Sequence, residues 1–137
     1  MITAVDTNVL LDILLPDPRF FARSSRALEV ATTAGSLVIC DLVYAELAVH
    51  FDAQNECAEF LADVEIHTEP LSREASFLAG RVWRTYREQG GKRTRILADF
   101  LIGSHAQVQA SRLLSRDRGF YRRMFPTLDI LDPSLTD

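Results

Sequence analysis

Short apolar runs that stop at an acidic or turn-forming residue, separated by longer stretches of helical spacing, constrain this chain more than any other feature. Met1–Val5 is one such run and ends at Asp6-Thr7-Asn8; Leu37–Cys40 ends at Asp41; Val64–His67 stops before Pro70; Leu113–Ser115 precedes Arg116-Asp117; Leu128–Leu131 closes the series. Each is too short for a stable helix and suits a strand. Helical spacing fills the intervals: Phe20–Ala34 up to Gly35, Leu42 to about Phe51 behind a capping Asp41, Gln54–Asp63, and Ile96–Val108. A short helical turn is expected around Phe120–Met124. The clearest helix follows Ser72, where Ala75, Leu78, Ala79, Val82, Trp83 and Tyr86 recur at three- and four-residue intervals before Gly90-Gly91. This alternation predicts an α/β fold, with a mainly parallel sheet and helices on both faces. With right-handed crossovers and the first strand central, the strand order is 3-2-1-4-5. The order reverses between strands 1 and 4, and open sheets bind ligands beyond the strand C-termini at such a reversal. Asp6 closes strand 1 and Asp117 follows strand 4, so two carboxylates fall at the expected pocket.

Two further acids interrupt apolar segments: Glu46 in DLVYAELAV and Asp99 in ILADFLI. Taken singly, each of the four has an ordinary role. Asp6 suits a helix N-cap, Glu46 a solvated face or an ion pair, Asp99 a helix N-terminus, and Asp117 the turn toward Gly119. Asp12, Asp41 and Asp63 read as such ordinary acids. Together the four imply a cluster that repels itself unless a cation intervenes. Oxygen-only ligation points to Mg²⁺ or Mn²⁺, because His50, His67 and His105 are isolated and no Cys/His pair has zinc spacing. A cation of this kind assists phosphodiester hydrolysis.

The net charge of −4 conceals a split: residues 1–75 carry four Arg and thirteen Asp or Glu, whereas residues 76–137 carry ten Arg and Lys92 against six acids. Such asymmetry fits either two solvated faces or an anionic partner. The preponderance of Arg favours a phosphate-bearing partner. Lys92, Arg93 and Arg95 flank the Asp99 segment, and Arg116 and Arg118 bracket Asp117; these five are the candidate contacts to such a partner. Arg112, Arg122 and Arg123 extend the second group. Gly90-Gly91-Lys92-Arg93-Thr94-Arg95 is not a phosphate loop of the Walker type, because Arg93 stands where Ser or Thr is required and Tyr86 where the first Gly belongs. Cys40 and Cys57 are expected to be buried and reduced. No apolar run approaches the roughly 20 residues that span a bilayer, and no secretory signal is visible, so a cytoplasmic location with no membrane association is expected.

The motifs resemble one family in particular. VDTNVLLDIL is similar to the opening of PIN domains, YAEL to their second acid, LADFLIGSHA to their third-acid helix and LLSRDRGF to their fourth-acid strand end. The order and nearly whole-chain coverage imply a single PIN domain over residues 1–137, similar to the VapC toxins of toxin–antitoxin pairs. The resemblance implies a metal-dependent endoribonuclease. Asp6, Glu46, Asp99 and Asp117 would form its catalytic set, with Asp6, Asp99 and Asp117 as metal ligands and Thr7, Asn8 and Ser115 as orienting residues. It also implies an RNA substrate, a cognate VapB-like antitoxin, and a homodimer that joins a larger assembly. Leu11, Leu14, Phe20, Phe21 and Phe51 are candidates for an antitoxin groove. Many relatives carry another acid near the position of Gly119; without it Asp117 is the main acid at that end, and the number of metals stays open. Alternatives are a stand-alone RNA-processing PIN nuclease and a non-catalytic PIN-fold binding module. Receiver and haloacid-dehalogenase-like domains share the Asp6 end, but they need a late active-site Lys that this chain lacks.

Overall fold

The computed structural model describes residues 1–92 and 97–135. Strands β1 (Ile2–Val5), β2 (Ser36–Ile39), β3 (Ile66–Thr68), β4 (Arg112–Leu114) and β5 (Ile130–Leu131) form one sheet of order β3-β2-β1-β4-β5, in which every pairing is parallel. Helices cover both faces: α1 (Thr7–Leu14), α2 (Phe21–Ala34), α3 (Asp41–Ala48), α4 (Gln54–Asp63), α5 (Arg73–Glu88), α6 (Leu97–Gln109) and α7 (Arg118–Met124). The predicted strand order is the observed one. Central strands buried on both faces lose the alternation of a half-exposed sheet. Accordingly Ala4, Val5, Leu37, Val38, Ile39, Leu113 and Leu114 are all buried, and so is the polar Thr3.

Local chemistry sets the helix ends. Ser72 caps α5 as its spacing predicts, its hydroxyl accepting from the Ala75 N–H at 3.0 Å. Asp41 does not cap α3: the N-cap is Cys40, in extended conformation, and Asp41 lies in the first turn, where its charge complements the helix dipole. That helix ends at Ala48, short of Phe51. Gly35 is required between α2 and β2 because a side chain there would run into the Met1 backbone, whose carbonyl accepts from the Ser36 N–H at 3.0 Å.

An aromatic cluster joins α5, α6 and α7. Tyr86 and Phe100 lie 5.3 Å apart between ring centroids, Phe100 meets Phe120 edge-on at 5.3 Å, and Phe120 meets Tyr121 at 5.2 Å. The cluster fixes α7, and with it the Tyr121 hydroxyl, beneath the end of the sheet. Cys40 and Cys57 are buried free thiols. Among the described residues no helix is long and apolar enough to cross a membrane.

Candidate metal and catalytic site

The β1–β4 pairing places the candidate site at the C-terminal edge of the sheet. Val5 lies opposite Leu114, and the Asp6 N–H donates to the Leu114 carbonyl at 2.9 Å. The next residues, Asp6 and Ser115, are therefore brought side by side at the point where the strand order reverses. Both are buried.

Asp6 is the extended N-cap of α1, and its Oδ1 accepts from the Thr7 N–H at 2.8 Å. Oδ2 accepts from Ser115 Oγ at 2.8 Å, Tyr121 Oη at 3.0 Å and Asn8 Nδ2 at 3.4 Å. Four donors thus fix one carboxylate. Burial nevertheless raises the Asp6 pKa from 3.8 to about 6; the Ser115, Tyr121 and Thr7 hydrogen bonds oppose the rise, and the charge of Asp99 adds to it. The Tyr121 hydroxyl is held well above its ordinary pKa, first by burial and then by the charges of Asp6, Asp99 and Asp117. The charge of Asp99, in the first turn of α6, therefore bears on both Asp6 and the Tyr121 hydroxyl, and that of Asp117, the N-cap of α7, on the Tyr121 hydroxyl.

Ser115 is the hub between the two chain segments. Its hydroxyl donates to Asp6, accepts from the Asp117 N–H at 2.9 Å and receives Asn8 Nδ2 at 3.4 Å. Asn8 Oδ1 in turn accepts from the Arg116 N–H at 3.2 Å. Glu46 lies on the exposed side of α3, but its Oε1 accepts from Thr7 Oγ1 at 2.7 Å, which holds it beside Asp6 at the rim. Thr7, Asn8 and Ser115 thus each hydrogen-bond at least one of these acids.

Among the described residues no three His, Cys, Asp or Glu side chains form a ready-made metal cage. His105 is buried, and its Nε2 lies 2.7 Å from Glu69 Oε1. The available donors are carboxylate oxygens, those of the buried Asp6, the half-buried Asp99 and Asp117 and the exposed Glu46.

The basic candidates divide. Lys92 is exposed and Arg118 half-buried, while Arg93 and Arg95 lie outside the described residues. The Arg116 guanidinium faces away from open solvent toward Asp12, which takes Nε at 2.8 Å and Nη2 at 3.0 Å. Asp12 is therefore a buried ion-pair partner, not an ordinary surface acid. Tyr121 is the site residue that sequence reasoning missed. The available signal was its place four residues after Asp117, which on a helix puts two side chains on one face.

Several solved structures share this fold. The chain is similar to VapBC2 from Rickettsia felis bound to a DNA fragment from their promoter, at 20% identity with a TM-score of 0.73, covering 96% of this chain and 98% of that one. It is similar to VapBC-1 from nontypeable Haemophilus influenzae at 20% identity, with a TM-score of 0.72 and coverage of 98% and 99%. It is also similar to FitAcB from Neisseria gonorrhoeae at 18% identity, with a TM-score of 0.71 and the same coverage of 98% and 99%. No curated protein sequence matches the chain. The sequence profile described as the PIN domain matches residues 3–125, a span that runs from β1 to the end of α7 and takes in all four acids. With the sheet order and the acid-bearing strand ends, that match settles the family: the chain belongs to the PIN domain family.

Proposed function

We propose that this PIN domain is a Mg²⁺- or Mn²⁺-dependent endoribonuclease and the toxin of a VapBC-type toxin–antitoxin pair. The observation that carries the reading is the buried Asp6 carboxylate, pinned by Ser115, Tyr121 and the Thr7 N–H under the charge of Asp99, while Asp117 bears on the Tyr121 hydroxyl bonded to it. Such an arrangement is costly without a counter-charge.

The donor set fits a hard cation. All the donors are oxygens, and a set that runs from the buried Asp6 to the exposed Glu46 suits an ion that keeps several waters and takes few protein carboxylates. Asp6, Asp99 and Asp117 would hold it, with Glu46 within reach through water. When bound, the cation supplies polarisation of the scissile phosphate, activation of a water and stabilisation of the leaving oxygen. The chain's own residues supply position. Ser115, Tyr121 and Asn8 fix the orientation of the Asp6 carboxylate, and Thr7 fixes Glu46. Lys92 and Arg118, with Arg93 and Arg95, supply positive charge for RNA phosphates, and affinity from such contacts falls with salt.

The partner reading rests on the solved neighbours, which include a toxin–antitoxin complex from Klebsiella pneumoniae and a DNA-bound VapBC from Salmonella typhimurium. On this reading a VapB-like antitoxin covers apolar side chains of the early helices. Phe21 is 41% exposed, Leu15 is 50% exposed, and Leu11, Leu14, Phe20 and Phe51 are half-buried. A homodimer of the toxin would link two such units.

Cleavage of RNA by the purified chain, with EDTA and with Mg²⁺ or Mn²⁺, tests the activity. Cleavage that needs the metal and disappears in Asp99→Asn supports it; a well-folded chain that cleaves no RNA under any metal sinks it. Co-expression with the adjacent gene tests the toxin role, the expected result being a stable complex that no longer cleaves.

A further inference from the structure

Arg116 sits between Ser115 and Asp117, the two residues that build one wall of the site, yet its side chain points out of that wall. Its guanidinium meets the Asp12 carboxylate as a fork, Nε to Oδ2 at 2.8 Å and Nη2 to Oδ1 at 3.0 Å. The Asp12 side chain is only 4% exposed, and Ser24 Oγ from α2 donates to the same Oδ2 at 2.7 Å. The guanidinium carbon also lies 3.9 Å from the centroid of the Phe20 ring. One face and the Nε–Nη2 edge of the guanidinium are thereby occupied. A phosphate seeking that same bidentate edge would have to break the pair and leave a buried carboxylate uncompensated, which is unfavourable.

The pair also ties α1 to the 115–117 turn at a second point. At the start of α1, Asn8 Oδ1 accepts from the Arg116 N–H and Asp6 accepts from Ser115 Oγ. One turn further along the same helix, Asp12 holds the Arg116 side chain. Beyond β4 the backbone is fixed by one sheet hydrogen bond, Ser115 N–H to the Leu131 carbonyl at 3.1 Å. From there the turn is held by these side-chain contacts together with the Tyr121 N–H, which donates to the Asp117 carbonyl at 3.4 Å. We propose that the Asp12–Arg116 pair is a clamp that positions the Ser115–Asp117 turn against Asp6, and that Arg116 is a positioning residue of the site and not an RNA contact. The catalytic consequence rests on the nuclease reading; the structural one does not.

Two backbone amides report the clamp directly. The amide at position 116 donates to Asn8 Oδ1, and the Asp117 amide donates to Ser115 Oγ. Arg116→Met removes the fork, whereas Arg116→Lys keeps the charge and loses the bidentate geometry. Hydrogen exchange followed by NMR on the metal-free full chain is expected to speed up at least tenfold at these two amides in Arg116→Met. The effect should be smaller in Arg116→Lys, and the amides of β2 should keep their wild-type rates. With RNA and Mn²⁺, kcat is expected to fall with KM little changed, more in Arg116→Met than in Arg116→Lys, and the salt dependence of RNA binding should stay as in the wild type.

Unchanged exchange at both amides overturns the clamp, and so does acceleration that spreads equally through β2, which marks a general loss of stability. A raised KM with kcat retained and a shallower salt dependence assigns Arg116 to the RNA instead and also overturns it. If Arg116→Met does not fold, Arg116→Lys alone decides. If the wild type cleaves no RNA, the nuclease reading fails while the exchange rates still decide the clamp.

Discussion

Replacing Asp6 by Asn isolates the electrostatic cost of the site from everything else in the protein. The Asp6 pKa stands at about 6 in the folded chain against an ordinary 3.8, the chief cause being burial, with a contribution from Asp99. The folded state therefore keeps a proton that the unfolded chain has already released between those values. Stability contributed by this group is fully present below the unfolded pKa and is lost as pH rises through the folded one. The rise from 3.8 to about 6 is equivalent to about 3 kcal/mol of destabilisation at neutral pH in the absence of metal. Urea unfolding of wild type and Asp6→Asn in EDTA, across pH values spanning that window, separates this term from the acids remote from the site, which are common to both proteins. Asn cannot accept from Ser115 and Tyr121 as a carboxylate does, so an offset independent of pH is expected. On top of it, the stability of Asp6→Asn relative to wild type is expected to grow by about 3 kcal/mol from the acid to the neutral end. Saturating Mn²⁺ at neutral pH should stabilise the wild type, by about 3 kcal/mol at a hundred times its dissociation constant, and the variant far less. A stability difference that is flat across pH would refute the reasoning.

Other perturbations probe single contacts. Ser115→Ala deletes a donor to Asp6 and leaves the Asp117 N–H without its hydroxyl acceptor; a loss of about 1–3 kcal/mol is expected by urea unfolding, together with a large fall in kcat. Thr7→Val frees Glu46 from the rim, and single-turnover RNA cleavage should slow while the melting temperature changes little. Lys92→Ala should flatten the dependence of log affinity for single-stranded RNA on log salt by about 0.7, as one fewer phosphate is neutralised; an unchanged slope would assign Lys92 to a solvated loop.

The sheet order was legible because its determinants are local. The acid or turn residue after each apolar run marks the strand C-terminus, and right-handed crossovers leave few ways to arrange such strands. Asp6 and Asp117 could be placed at one edge for the same reason, since each follows the end of a neighbouring strand. What escaped depends on partners remote in the chain. Asp12 looks like an ordinary helix acid until Arg116, 104 positions away, is folded onto it. Arg116 is read as a phosphate contact from its place beside Asp117, and its ion pair with Asp12 is invisible at that level. Tyr121 hides in an aromatic-rich segment, where its ring suits the core and nothing local announces that its hydroxyl reaches Asp6, 115 positions away. Asp41 failed as a cap because the extended residue before the helix is Cys40, a difference of one position that propensity does not resolve.

The central claim is that the acids at the β1–β4 edge hold a divalent cation. Anomalous diffraction from crystals soaked in Mn²⁺ tests it most directly. The account predicts a peak within bonding distance of Asp6 or Asp99 carboxylate oxygens, facing Asp117, that is absent in Asp6→Asn crystals soaked in the same way. A fully soaked wild-type crystal with no peak among these oxygens, or with manganese bound only elsewhere on the chain, would contradict it.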